Sequence, residues 1–364
     1  MDLSSKTQRY ALRAALVLGL FLPTAWVLRA APDSTSLSST PPLIEKVGDK
    51  KLSQWIVDLK NADPSIREEA IRAISFFGPA AAEAVPALLH LLHDPDASPR
   101  AKAIVALAFI KINEADRSRV VAALGDKVAG DNQAMVRYNA AVALGIMGKD
   151  IKGALPGLLH GMEDQSSWEI RRASIAAVIE AGATPVGPEP RVTRALLSSL
   201  EDHAAAVRLE AVVALGQMGR PDDGLLLAHT FKTLKGMTND KDKTVAVWAH
   251  LSLMAMDKVD DADMAFLTKC VKVGELSRVR VQAIRALGSV GIRFKTVVPQ
   301  LIDLLADKDL AVVVNACDAL GGIRNPGADA QKALTELSLN KETEEQAKQA
   351  ALRGLEAIKK AKEK

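Results

Sequence analysis

The most constraining feature of this 364-residue sequence is a segment that recurs about every 35 residues. Its clearest copy runs from Asp202 to Gly219, with Val207 and Arg208 near the start and small residues at Ala211 and Ala214. This spacing predicts an amphipathic helix that ends at a glycine. Such a helix cannot bury its apolar stripe alone, so each copy must pack against another.

Three columns of residues keep the copies in phase. The residues three and six positions after Arg208 are small in every copy, and the residue seven positions after it is branched and aliphatic. Chance alanine-rich helices would not keep three columns aligned through nine copies, so the sequence predicts a repeat protein. We call the position of Arg208 the ladder position; it is occupied by Arg67, Arg100, Arg137, Arg171, Arg208, Ala246, Arg280, Val313 and Lys348.

A second apolar segment precedes each copy and predicts a first helix, helix A, before the recurring helix B. Pro86, Pro156 and Pro299 lie near the start of three of these segments, where a helix tolerates proline. Small residues in helix B let helix axes approach closely, so we expect an all-α, right-handed α-solenoid of stacked pairs. The nine pairs are predicted at about 52–78, 81–111, 115–148, 151–182, 188–219, 221–257, 260–291, 295–324 and 326–360.

These residues resemble the HEAT-repeat family, in particular the short HEAT-like repeats of phycobilin lyases. The resemblance rests on the pattern V-R-x-x-A-x-x-A-L-x-x-x-G in helix B and on P-x-L-L in helix A, and it covers about residues 50–360. It implies a solenoid whose B helices line a concave surface. It implies little about function, because most of the motif residues are packing residues.

Charged residues also recur with the repeat. We interpret each aspartate before helix B as its N-cap, and each arginine at the ladder position as the partner of an aspartate in its own or the neighbouring turn. A charged binding ladder is the alternative. The set comprises Asp63, Arg67, Arg100, Asp131, Arg137, Asp164, Arg171, Asp202, Arg208 and Arg280.

The N-terminal 31 residues lack the repeat columns. Lys6, Arg9 and Arg13 precede the uncharged run 14–28, which is typical of a secretory signal peptide. An uncleaved membrane anchor is the alternative, and in either case we expect the rest of the chain outside the cytoplasm, periplasmic, secreted or membrane-anchored.

The remaining domain boundaries follow from composition. Residues 32–49 are rich in Ser, Thr and Pro and predict a disordered linker. Residues 50–360 form the predicted solenoid, in which 183–190 is interpreted as a long turn, and 361–364 form a polar tail.

Charge and motif content argue against several classes of function. Residues 1–31 hold four basic and one acidic residue, so all of the net charge of +3 lies there and the rest carries 43 of each sign. A neutral domain lacks the electrostatic footprint of a nucleic-acid-binding protein. The sequence has no G-x-S-x-G, H-E-x-x-H, phosphate-loop or dinucleotide motif, so we expect no catalysis and no cofactor.

Cysteine and histidine pairs offer two further candidates. Cys270 and Cys317 could pair in an exported protein, but we interpret them as separate buried thiols. His90 and His93 share a helix face and precede Asp94, which would suit a metal ion. Because unrelated polar residues occupy the equivalent of His90 in other repeats, we interpret this face as solvated.

The sixth repeat departs from the others. Ala246 replaces the arginine, Trp248 stands in a polar column, and His250 stands where other repeats have Ile or Val. Trp248 could anchor a partner. The alternative, which we favour, is that Trp248 packs under segment 257–263 and that His250 is a hydrogen-bonded core histidine.

The residues two and five positions after the ladder position are expected to face the concave surface. Their mixed chemistry suits a protein or peptide partner, and we predict a non-catalytic interaction scaffold that contacts a membrane only through its N-terminal segment. A lyase-like protein that holds a chromophore or other small ligand, and a self-assembling envelope subunit, are the alternatives. The candidate residues are Glu69, Arg72, Lys102, Asn139, Glu210, Trp248, Gln282, Arg285, Asn315 and Asp318.

Overall fold

The structure is a computed structural model, and it describes most of the repeat region. The predicted signal segment, most of the linker and residues 182–188, which include most of the long turn, lie outside the described residues. The described residues are 45–148, 151–181, 189–256, 261–272, 274–290, 297–323 and 325–362.

The chain divides into two compact units, residues 1–184 and 185–364. The boundary falls within the segment 183–190 that the sequence analysis singles out. The described residues hold eighteen α-helices, which form the nine predicted pairs, four in the first unit and five in the second.

In the first unit, the pairs lie where the columns predict them. A 3-10 turn precedes helix A in the second pair (Gly78–Ala84) and in the fourth (Lys152–Ala154). The four pairs are α1 (Leu52–Asp58) with α2 (Pro64–Phe76), α3 (Val85–Leu91) with α4 (Ala97–Phe109), α5 (Glu114–Gly130) with α6 (Ala134–Met147), and α7 (Leu155–Gly161) with α8 (Trp168–Ala181).

The second unit has the same organisation. The helix A of its fourth pair is followed by a 3-10 turn, Leu304–Ala306. The five pairs are α9 (Pro190–Ser199) with α10 (Ala205–Met218), α11 (Gly224–Met237) with α12 (Lys243–Ala255), α13 (Asp261–Cys270) with α14 (Ser277–Val290), α15 (Val298–Asp303) with α16 (Leu310–Gly322), and α17 (Ala328–Leu339) with α18 (Glu345–Lys362).

Within each unit the pairs stack as layers. Each helix A packs on its own helix B, and each helix B packs on the helix B of the next pair. The residues three positions after the ladder position, from Ala70 to Ala351, all have 0% exposure. Those six positions after it are also buried, as are those seven positions after it except the half-buried Leu355. The residues of these three columns therefore form the contact between neighbouring layers.

Proline and glycine placed several helix ends correctly. Pro86, Pro156 and Pro299 occupy the first turn of their A helices, as predicted. Gly219 ends α10 with a φ of 79°, a conformation that favours glycine. The helix α18 continues to Lys362, two residues into the predicted polar tail.

The prediction of a disordered linker up to residue 49 is wrong at its C-terminal end. Lys46–Val47 pair antiparallel with Lys50–Lys51 around a two-residue turn in which Gly48 has a φ of 62°. The hairpin is held by tertiary contacts, because the Trp55 indole N–H donates to the Val47 carbonyl at 3.2 Å and Lys50 lies over the same ring. None of the described helices combines the length and the apolar character needed to cross a membrane.

The close contact between the A helices α5 and α7 depends on a pair of glycines. A Cβ atom on Gly157 of α7 would lie 2.9 Å from the Cα of Gly125 in α5 and closer still to its carbonyl group. Backbone atoms cannot move aside as a flexible side chain can. This contact therefore requires glycine.

We predict that Gly157→Ala lowers the free energy of unfolding by about 1–3 kcal/mol, because the added methyl group forces α5 and α7 apart. Urea unfolding followed by circular dichroism measures the change. Gly130→Ala is the matched control, since no atom lies within 4 Å of its added Cβ and alanine favours the helix. Equal stability of the two variants would contradict the close-contact explanation.

Candidate functional site

One face of the B helices is left free by the packing. It consists of the residues two positions before and two, five and nine positions after the ladder position, which share one side of a helix. We call it the outer B face. Among the described side chains of the first unit none of these is buried, and in the second unit the exception is Ala350.

The two columns of candidate binding residues, two and five positions after the ladder position, both belong to this face. Five of the ten candidate residues are exposed and five are half-buried; the first four lie in the first unit and the other six in the second. The exposed residues are Glu69, Arg72, Lys102, Arg285 and Asp318; the half-buried ones are Asn139, Glu210, Trp248, Gln282 and Asn315.

Several of these side chains connect neighbouring layers. The Lys102 ammonium group forms an ion pair with Glu68 on the preceding B helix. Arg285 Nε donates to Asn315 Oδ1 at 2.8 Å. Arg353 Nη2 donates to Asp318 Oδ1 at 3.3 Å, and both of these side chains are about half exposed. The face is therefore a set of polar side chains on rigid helices rather than on loops.

The structure also shows an apolar row that the sequence analysis missed. Phe76 is 64% exposed and Phe109 is 42% exposed, and Ile146 occupies the same position in the third pair. Val105 and Val142 lie half-buried one turn earlier on the same face. The signal was present in the column nine positions after the ladder position, which lay outside the two columns considered.

A different chemistry surrounds Trp248 in the second unit. Thr244 lies one turn before Trp248 on α12, and Gln282 occupies the same column on α14. Thr244 Oγ1 and Gln282 Oε1 are buried and have no hydrogen-bond partner among the described residues. Residues 257–260, under which Trp248 was expected to pack, lie outside the described part of the chain.

The ladder arginines connect each turn to the next. Arg100 donates from Nε and Nη2 to the two carboxylate oxygens of Asp131, 31 residues further on, at 2.9 Å each. Its Nη1 donates to the Asp94 carbonyl of its own turn at 2.9 Å. The same bidentate pairing joins Arg67 to Asp94 and Arg208 to Asp240, and Arg280 pairs with Asp307.

These pairs are buried and electrostatically matched. The Asp131 side chain is 3% exposed. Burial alone raises its pKa, but hydrogen bonds from Arg100 and from the Gln133 backbone N–H, with the charges of Arg100 and Lys127, lower the pKa overall. The hydrogen bond from Arg280 is the main cause of the lowered pKa of Asp307. The pKa values of Asp164 and Asp240 are lowered as well.

Of the four aspartates in the predicted set, Asp63 has the predicted capping role, since its carboxylate accepts from the Ser65 N–H at the start of α2. Asp242 and Asp309 cap α12 and α16 in the same way. The prediction is wrong at Asp131 and Asp202, because Gln133 and Ala204 are the N-caps of their helices. These carboxylates instead accept the backbone N–H of the N-cap residue two positions on. Asp164 likewise accepts from the Ser166 and Ser167 N–H groups. Asp131 and Asp164 also accept hydrogen bonds from the ladder arginine of the preceding pair. In these turns the aspartate therefore binds the backbone of its own turn and an arginine of the neighbouring layer.

The sixth repeat replaces the ladder contact with another cluster. Ala246 is buried, and His250, which is 4% exposed, stacks on Phe266 with ring centroids 4.3 Å apart. His250 Nδ1 lies 2.5 Å from Asp263 Oδ1, which also lies 3.3 Å from Lys235 Nζ. The interpretation of His250 as a hydrogen-bonded core histidine is confirmed. The cluster joins α11, α12 and α13.

The metal and thiol candidates do not form sites. His90 and His93 are exposed, and Asp94 is the buried partner of Arg67. Nowhere in the described residues do three His, Cys, Asp or Glu side chains come together as metal ligands. Cys270 and Cys317 are separate buried thiols, and burial raises the pKa of Cys317 to about 12 and also raises that of Cys270.

Comparison with known proteins agrees with this architecture. A family model of HEAT repeats matches residues 50–130, 85–179 and 264–356. No curated protein matches the chain. Among solved structures, YibA of Escherichia coli is 17% identical over 84% of this chain and 92% of its own, with a TM-score of 0.40. A chain from the complex of Kap95p with RanGDP is 14% identical with a TM-score of 0.51, and the match covers 96% of this chain and 49% of that one.

The fold defines a repeat protein built from stacked helical pairs. The family model covers more than half of the sequence, and the chain belongs to the HEAT-repeat family. The match is to HEAT repeats in general and does not support the narrower likeness to phycobilin lyases.

We predict that Arg100→Met lowers the free energy of unfolding by about 3 kcal/mol or more at pH 7, because it leaves the Asp131 carboxylate buried and uncompensated. The destabilisation should shrink at pH 3. The lowered pKa of Asp131 means that the wild-type pair adds stability above about pH 4 and loses it as the pH falls through the folded-state pKa. In the variant, the buried Asp131 carboxylate takes up its proton at a higher pH than in the wild type. Once it is neutral, the free-energy cost of a buried charge disappears.

Arg353→Met is the matched control, since its ion pair with Asp318 is half exposed and should contribute less than about 1 kcal/mol. Urea unfolding of the wild type and both variants at pH 7 and pH 3 gives the change in unfolding free energy for each variant at each pH. An equal loss of unfolding free energy in both variants, or a loss in Arg100→Met that does not change with pH, would contradict the prediction. The buried ladder pair would then contribute no more than an exposed ion pair.

Proposed function

We propose that this protein is a non-catalytic scaffold that binds a protein partner along the outer B face. The observation that carries the proposal is the apolar row of the first unit, in which Phe76 and Phe109 are exposed beside Val105, Val142 and Ile146. Soluble proteins rarely expose contiguous apolar side chains without a partner. Phenylalanine side chains held on packed helices need little ordering on binding, which favours their use in an interface.

The family and the fold support an interaction role. HEAT repeats present long helical surfaces. In the structurally similar complex, Kap95p binds another protein, RanGDP, and induces its switch loops to adopt the GTP-bound conformation. At 14% identity that similarity concerns the fold. The partner of the present chain must therefore be sought through the chemistry of its own surface.

The non-catalytic part of the proposal is supported by the environment of an acid–base pair that resembles a catalytic dyad. His250 and Asp263 are hydrogen-bonded but buried, and the imidazole ring is stacked on Phe266. A substrate would have to displace core side chains to reach it. We assign this pair to the stability of the sixth repeat.

We predict that the double substitution Phe76→Ser and Phe109→Ser abolishes capture of the partner with little loss of stability, because both side chains are already exposed to water. Proximity labelling and co-purification with tagged protein compare the variant with the wild type. Light scattering over a range of concentrations shows whether the captured partner is a second copy of the chain.

Val57→Ser is the matched control, because Val57 is 69% exposed on a helix A of the same unit and lies off the outer B face. It should capture the same proteins as the wild type. If the phenylalanine variant and the control both retain every partner, the apolar row is not the binding surface.

We also propose that the protein is exported, on the basis of Lys6, Arg9 and Arg13 before the apolar run 14–28. A fusion of residues 1–49 to alkaline phosphatase, an enzyme active only outside the cytoplasm, should be active, and the same fusion without residues 14–28 should be inactive. N-terminal sequencing of the mature protein distinguishes a cleaved signal from an anchor. An inactive full fusion would overturn the proposal.

A further inference from the structure

The outer B face of the second unit carries a compact site of a different character from the apolar row. Thr244 and Trp248 lie one turn apart on α12, and Gln282 and Arg285 lie within one turn of each other on α14. The two helices pack directly against each other. The half-buried indole, a hydroxyl group, an amide and a guanidinium group are therefore neighbours on one rigid surface.

Two polar atoms of this site lack partners. Thr244 Oγ1 and Gln282 Oε1 are buried, and neither has a hydrogen-bond partner among the described residues. Buried polar side-chain atoms in folded proteins are nearly always hydrogen-bonded. Two exceptions in adjacent helices, in the repeat positions next to Trp248, distinguish this part of the outer B face from the rest of it.

The charges of the site are also incompletely matched. Arg285 is exposed, and its Nε donates to Asn315, which is neutral. Arg278 has a side chain that is 67% exposed and lies 3.9 Å from the nearest paired carboxylate, Asp242. By contrast, Lys243 at the start of α12 is closely paired with Glu275 at 2.5 Å. Two guanidinium groups on α14 thus flank Gln282 with spare donors.

The spacing of these groups limits the shape of a ligand. Arg278 and Arg285 are seven residues apart on one helix face, about 10.5 Å along its axis. In a polyproline II segment, residues three apart point the same way and are about 9.3 Å apart. Such a segment places two carboxylates opposite the two arginines and an intervening side chain over Trp248.

We propose that this site binds an extended acidic peptide segment of the partner, with two carboxylate residues three positions apart and an apolar residue between them. This inference rests on the proposed scaffold function and adds the chemistry of the partner. Arg285 pairs with one carboxylate, Arg278 with the other, and the indole of Trp248 packs against the apolar residue.

The test uses fluorescence anisotropy of the full chain with a labelled probe peptide of sequence Ser-Glu-Pro-Leu-Glu-Pro-Ser. The same peptide with glutamine in place of both glutamates, or with lysine, measures the charge requirement without changing the protein. We expect the glutamate peptide to bind at least about tenfold more tightly than the glutamine peptide, because each carboxylate meets a guanidinium group. Binding should weaken as salt is raised.

Arg285→Gln and Trp248→Ala should each weaken binding of the glutamate peptide by about five- to tenfold. Arg72→Gln is the matched control, because Arg72 is an exposed arginine at the same repeat position in the first unit, and it should bind as the wild type does. Thermal unfolding of each variant verifies that the fold is intact. Absence of binding to the glutamate peptide, equal binding of the glutamine or lysine peptide, or an unaffected Arg285→Gln variant would overturn the proposal.

The outcome can be separated from that of the scaffold proposal. If Phe76→Ser with Phe109→Ser abolishes partner capture while the glutamate peptide fails to bind, the scaffold function stands and the acidic segment is wrong. If the glutamate peptide binds but the variant with Phe76→Ser and Phe109→Ser still captures the partner, the peptide site stands and the apolar row is wrong.

Discussion

The whole structure depends on the removal of side-chain volume where one helix B meets the next. A two-helix pair has an apolar stripe that it cannot cover by itself, and the stripe becomes buried only if another pair approaches closely. Residues such as Ala211 make that approach possible, and the corresponding residue in every repeat is fully buried. At Gly125 and Gly157 the A helices approach so closely that even a methyl group is excluded.

The ladder arginines fix how consecutive pairs are aligned. A planar guanidinium group that binds both oxygens of a carboxylate tolerates little change in direction. Because Arg100 also donates to the carbonyl of its own turn, it holds two turns in one arrangement. Where Ala246 removes this contact, the buried pair of His250 and Asp263, together with the half-exposed Lys235, joins three helices of the same region.

Packing and ladder contacts together leave one face of each helix B free to carry function. Its residues are not required for the contact between layers, so their chemistry can differ between repeats without cost to the fold. In the first unit the face presents Phe76 and Phe109, and in the second it presents Trp248 and Arg285. The two units therefore offer chemically different surfaces on the same scaffold.

The sequence by itself determined the class of fold and the nine pairs, because these depend on spacing within about 35 residues. It also determined that Cys317 and His250 belong to the core, since they stand in apolar columns. Only the tertiary structure decided that Asp94, a metal candidate in the sequence, is the partner of Arg67, and that Val47 and Trp55 fold the end of the linker into a hairpin. It also decided that Phe76 is exposed and that His250 binds Asp263. These contacts join different elements or different layers, and a periodic pattern specifies which residues are buried without specifying which residues meet.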